Sequence, residues 1–174
     1  MNFEKIYIIS QVFGFISFLI NLIAYHRNKK KKIFKTMVLA NIFDILHYMF
    51  LKAYSGCGAK ILALIRNLII IIKEKNKKIN NNIVLGLLFI AYVSLGILTY
   101  NNIFSLLPII AAIVYLYIVW NGDELKIKKV AFYCYFLWLI YNICVFSISG
   151  VVSNCVSIVS TYIAYRSEKK LKIK

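Results

Sequence analysis

The chain has 174 residues, 61% of them hydrophobic, one proline and a formal charge of +16, with a mean hydropathy of +0.76. A soluble domain is nearer half apolar, and a chain this short could not cover so much apolar surface, which excludes a soluble globular fold. The charge would suggest nucleic acid in a soluble protein, but here the lysines stand in blocks between apolar runs of roughly the twenty residues that a membrane span needs.

These runs do not alternate polar and apolar residues, which excludes a transmembrane barrel and leaves helices. Helix one is expected at 6–25 and has no small-residue cleavage site behind it, so it reads as a retained span and not a signal peptide. A basic connection, 26–35, leads to helix two at 35–53. A small turn, Ala53–Gly58, leads to helix three at 57–72, which carries Lys60 and Arg66. The basic segment 73–78 precedes helix four at 83–100, and Asn101-Asn102 leads to helix five at 103–120. Lys126, Lys128 and Lys129 mark the next connection, before helix six at 129–147; Ser147–Gly150 then turns into helix seven at 150–166, followed by a basic tail. Every second connection is basic, so the positive-inside rule puts the basic side in the cytoplasm, the N-terminus outside and the C-terminus inside. Richness in Lys, Ile and Asn points to an AT-rich bacterial genome.

A shift of 94 residues brings the two ends of the chain into register without gaps. Ser55-Gly56 falls on Ser149-Gly150, Glu74-Lys75 on Glu168-Lys169, and Lys32 and Lys35 on Lys126 and Lys129. Gly14 falls on Pro108, each a helix-weakening residue and each a candidate flexing point. The shift carries helices one to three onto five to seven and leaves helix four as a linker. The expected fold is an all-α membrane protein with seven transmembrane helices, arranged as two parallel three-helix bundles joined by a linker helix. Residues 1–78 form the first bundle, 79–101 the linker, and 102–174 the second bundle and tail. One linker span lets both bundles share an orientation, a parallel repeat. The plan resembles the 3+1+3 arrangement of SWEET (MtN3-like) sugar transporters, PQ-loop proteins and the KDEL receptor, although the chain has no PQ dipeptide motif.

At residue level the chain resembles the YgjV family of bacterial inner-membrane proteins. The matching pieces are Gln11 and Gly14, Phe34-Lys35, His47, Tyr54 and Ile65-Arg66, then Leu107-Pro108, Trp138, Asn142, Ser147 and Gly150. The resemblance implies membrane placement and fold, and it brings no established activity with it. Asp44 is not part of that pattern.

Ionisable residues inside spans are expensive, and each asks for an explanation. With the turn taken at Ser55, Asp44 and Arg66 each lie 11 residues from it (55 − 44 and 66 − 55). At about 1.5 Å per residue both then sit roughly 16 Å deep, near the middle of the bilayer, where they can pair. Asn41, Asp44, His47 and Tyr48 share a helix face. The shift sets Trp138 opposite Asp44, with Asn142 one turn away. An indole, a carboxamide and a charged pair suit a small polar ligand, by stacking on one side and hydrogen bonding on the other. The candidate substrate-binding set is Asp44, His47, Arg66, Asn67, Trp138 and Asn142; the alternative is a purely structural ion pair and ordinary helix packing by Trp138. Gly150, Ser153, Ser157, Ser160 and Ala164 form a small-residue stripe suited to close helix packing.

No zinc-site spacing, nucleophile elbow or phosphate loop occurs, and the four cysteines form no pair at metal-ligand spacing. The chain is therefore not expected to be an enzyme or to hold a cofactor or metal. The expected function is transport of a small solute by rocking of the two bundles; the alternative is a non-transporting receptor or partner-binding subunit. The expected partners are the bilayer, with anionic lipids at its cytoplasmic face, and a small polar solute. Self-association is left open, and nucleic acid is not expected.

Overall fold

The structure, a computed structural model, describes residues 3–25, 30–73, 81–121 and 124–173. Seven α-helices run through them: α1 Phe3–Tyr25, α2 Lys30–Phe50, α3 Tyr54–Lys73, α4 Asn81–Leu98, α5 Leu107–Asn121, α6 Glu124–Cys144 and α7 Ile148–Ile173. A 3-10 turn at Ile103–Leu106 precedes α5. Residues 26–29 and 74–78 of the basic connections lie outside the described residues, as do the Glu74-Lys75 pair of the repeat and Lys174 of the tail.

Three stretches are long and apolar enough to cross a membrane: Glu4–Ile23, Tyr54–Lys73 and Ile103–Trp120. Asn82–Leu98, Lys129–Cys144 and Ile148–Ile163 are shorter apolar helices. α2 is less apolar because lysines crowd its first turns and Asn41, Asp44 and His47 interrupt the rest. The distribution of side chains is inverted relative to a water-soluble protein. Leu98 is 83% exposed and Ile97 73%, whereas His47, Asn67 and Asn142 are each 1% exposed. Water would reverse that preference. Lipid covers apolar side chains, and polar groups must then find partners inside the protein.

α1 packs on α2 and α7, α2 on α3, α3 on α4 and α5, α5 on α6, and α6 on α7. A shift of 94 residues maps the α1–α7 contact onto the α5–α3 contact. α4 packs against α3 and α5, where Leu88 and Tyr92 join Ala59, Ile109, Ala112 and Leu116 in an apolar core.

The two short turns share one backbone design. After α2, Lys52 takes a left-handed φ of 56°; after α6, Phe146 takes one of 54°, and 146 − 52 = 94. The Lys52 N–H donates to Met49 O at 3.0 Å and the Ala53 N–H to Tyr48 O at 2.9 Å. The Phe146 N–H donates to Ile143 O at 3.2 Å and the Ser147 N–H to Asn142 O at 2.9 Å. Both are Schellman endings, built on non-glycine residues where glycine is the usual choice. These turns lie about three residues before the places expected from Ser55-Gly56 and Ser149-Gly150. Those pairs instead open α3 and α7, where a glycine lets a neighbouring helix come close: a Cβ on Gly56 would meet the Tyr141 ring at 2.8 Å, and one on Gly150 would meet Asn142.

Candidate functional site

Between α1, α2, α3, α5, α6 and α7 lies a cavity of about 150 Å³, and Asp44, His47, Arg66, Asn67, Trp138 and Asn142 all stand on its wall. The wall pairs residues 94 apart across the two halves of the chain. Asp44 is matched by Trp138, Tyr48 by Asn142, Asn41 by Tyr135 and Lys60 by Asn154. The members of each pair differ in chemistry, for the charged members all come from the first half.

The ion pair of Asp44 is with Lys60 and not with Arg66. Lys60 Nζ lies 2.6 Å from Asp44 Oδ2, both side chains being partly buried. The turn position explains the difference. Measured from Lys52, the middle of the turn, Asp44 is 52 − 44 = 8 residues back and Lys60 is 60 − 52 = 8 residues on. Arg66 is 14 residues on, so it sits roughly 9 Å deeper along α3 at about 1.5 Å per residue. Lys60 Nζ also stands 4.8 Å from the centre of the Trp138 ring, a cation–π contact that shares its charge between the two halves.

Arg66 is 5% exposed. Its Nε and Nη2 donate to the side-chain oxygen of its neighbour Asn67, at 3.3 and 3.2 Å, and its guanidinium lies 5.1 Å from the Tyr115 ring centre. Among the described residues it has no carboxylate partner.

Toward the α2–α3 and α6–α7 turns the cavity is closed by a buried hydrogen-bond network. His47 Nδ1 donates to the Ser10 carbonyl at 2.6 Å, an acceptor only, which leaves Nε2 to accept from the Ser147 hydroxyl at 2.7 Å. Ser147 Oγ in turn accepts the Gly150 N–H at 3.1 Å, capping α7. The Tyr48 hydroxyl donates to Asn142 Oδ1 at 2.8 Å, joining two residues 94 apart. The Tyr141 hydroxyl receives Ser55 Oγ and the Gly56 N–H at 3.0 and 2.9 Å. Gln11 Oε1 accepts both the N–H and the hydroxyl of Ser149 at 3.0 Å.

The surroundings of the two expected flexing points, Gly14 and Pro108, give each a local role in packing or helix initiation. A Cβ at Gly14 would collide with the Ser149 hydroxyl and meet His47 Nδ1 at 2.9 Å, so glycine here lets α1 approach α2 and α7. Pro108 is the second residue of α5; in a first turn its missing N–H costs no helix bond, so it starts the helix and does not break one. Sequence reasoning passed over Ser147, Tyr141 and Tyr115 as site residues. Ser147 carried a readable signal, a helix N-cap serine three residues before Gly150; the tyrosines had none in a chain with 13 of them.

The sequence model of the Imp-YgjV family, bacterial inner membrane proteins, matches residues 8–171. No curated protein and no solved structure matches the chain. With nearly its whole length matched, the chain belongs to the Imp-YgjV family and is a bacterial inner-membrane protein.

Proposed function

We propose that this member of the Imp-YgjV family is a small-solute transporter built from two three-helix units, 1–78 and 102–174, around the linker span at 79–101, with its solute held in the central cavity. On this reading all seven helices cross the membrane. α3 has 20 residues and α4 has 18, about 30 and 27 Å at 1.5 Å each, against a hydrocarbon core of about 30 Å. α2 crosses too, because its polar residues face the cavity and not lipid. The alternating basic connections put Met1 outside and the tail in the cytoplasm, where the lysines meet anionic headgroups. The plan is the 3+1+3 arrangement of SWEET-like transporters.

The observation that carries the reading is the cavity wall itself: pairs of residues 94 apart, such as Asp44 with Trp138 and Tyr48 with Asn142, face one space. A repeat whose halves meet at a shared site is what rocking transport needs. The His47, Tyr48 and Gln11 hydrogen bonds close the outer end by joining one half to the other, so opening outward means exchanging them for water. No catalytic group is assigned, and the chain is read as a carrier and not an enzyme.

The test is counter-flow of labelled small solutes into proteoliposomes of the purified chain, beside solute-dependent protection of a cysteine at Asn154. Counter-flow with protection supports transport. Protection without counter-flow makes the protein a receptor or partner-binding subunit instead.

A further inference from the structure

The cavity holds one carboxylate and two cations. Asp44 is neutralised by Lys60 at 2.6 Å, so the formal sum of Asp44, Lys60 and Arg66 is −1 + 1 + 1 = +1. The excess charge is the guanidinium of Arg66, 5% exposed and bonded to the neutral Asn67, with no carboxylate partner among the described residues. The Tyr115 face supplies a partial counter-charge, but a cation deep in a membrane protein without an anion is costly to keep. Guanidinium is charged at every accessible pH, so it cannot escape that cost by losing a proton.

A second observation points the same way. Asn41 Nδ2, on a side chain 7% exposed that lines the same cavity, has no hydrogen-bond partner among the described residues. Asn41 is 11 residues from Lys52 on α2 and Arg66 is 14 residues from it on α3, so their levels differ by roughly 5 Å. A planar fork of donors and an unused amide donor therefore face one space at nearly one depth. Both ask for an acceptor, and the charge asks for a negative one.

We propose that the solute is a small monovalent carboxylate, held by the Arg66 guanidinium with Asn41 donating beside it. This rests on the reading of the cavity as a solute site. A carboxylate matches the guanidinium fork with two parallel N–H bonds. One negative charge brings the cavity sum to zero, and a dianion would overshoot to −1. A cavity of about 150 Å³ is the size of one that admits a benzene molecule, which suits an acid of a few carbons. Ala111, Ala112 and Trp138 give such an acid an apolar wall for its chain.

The test uses the purified full chain in detergent, titrated with sodium propionate and sodium lactate, with propionamide and lactamide as neutral isosteres and with sodium phosphate and sodium chloride. Thermal unfolding is read throughout. The expected result is a saturable rise in the unfolding midpoint with the acids and none with the amides, and an affinity for the acids at least tenfold weaker in Arg66→Gln. Arg66→Gln without ligand should unfold at a higher temperature than the wild type, since it removes an uncompensated charge. Amides binding as well as acids, or unchanged acid affinity in Arg66→Gln, overturns the proposal, and if that variant does not fold the acid–amide comparison on the wild type decides alone. Stronger binding of phosphate or chloride than of the acids overturns the carboxylate assignment. Counter-flow of a neutral or cationic solute with no acid binding overturns this proposal and leaves transport standing. Acid binding without counter-flow overturns transport and leaves the anion site standing.

Discussion

Pairing of Asp44 with Lys60, and not with Arg66, makes a quantitative prediction about stability. Removing one member of a buried pair typically costs about 3–5 kcal/mol. Lys60 is 23% and Asp44 13% exposed at the side chain, so water screens part of that cost, and about 2–3 kcal/mol is expected here. The two single changes should not be equal. Asp44→Asn leaves Lys60 and Arg66 facing the cavity with a sum of +2, whereas Lys60→Gln leaves Asp44 and Arg66 with a sum of zero. Asp44→Asn should therefore be the more destabilising change, even though Lys60→Gln also loses the contact with Trp138. Denaturant or SDS unfolding in mixed micelles, followed by circular dichroism, gives the free energies for a double-mutant cycle. Asp44→Asn with Lys60→Gln should show a coupling of about 1–3 kcal/mol, and Asp44→Asn with Arg66→Gln a smaller one, through charge at a distance and not through contact. A larger coupling to Arg66 than to Lys60 would refute both the register of α2 against α3 and the charge count of the cavity.

Gly14→Ala should destabilise by about 1–3 kcal/mol through the clash with Ser149 and His47. In the same assay Gly86→Ala should gain about 0.5–1 kcal/mol, because nothing lies within 4 Å of its added Cβ. Lys52→Gly should raise stability by about 1 kcal/mol, relieving a left-handed residue at φ 56°; a loss would place the turn elsewhere. Ser147→Ala removes both the α7 cap and the partner of His47 Nε2 and should cost about 1–3 kcal/mol. For topology, a cysteine at Tyr54, 64% exposed, on a cysteine-free background should label from outside. Ser55 is 4% exposed and should label poorly; strong outside labelling at Asn28 would invert the orientation.

Hydropathy alone made the helices and the membrane legible, because the solvent acts on every residue of a span and the signal sums over about twenty of them. The spacing of 94 was legible as well, and in the structure it separates the two left-handed turn residues, Lys52 and Phe146. The polar residues of the cavity were legible by type: Asp44, His47, Arg66 and Asn67 stand out against an apolar background where such groups are costly. The short turns were not legible. Lys52 and Phe146 adopt a left-handed conformation that glycine usually supplies, and the nearby glycines of α3 and α7 drew the expected turns about three residues too far along the chain. That small displacement decided which cation met Asp44. Each residue of error moves one helix by about 1.5 Å and its partner by as much in the opposite sense, so a few residues replace Lys60 by Arg66. Local sequence fixes which groups enter the membrane. The turn geometry and the rotation of each helix fix which of them touch, and these depend on contacts such as Tyr48 with Asn142 and His47 with Ser147, between residues about 100 apart in the chain.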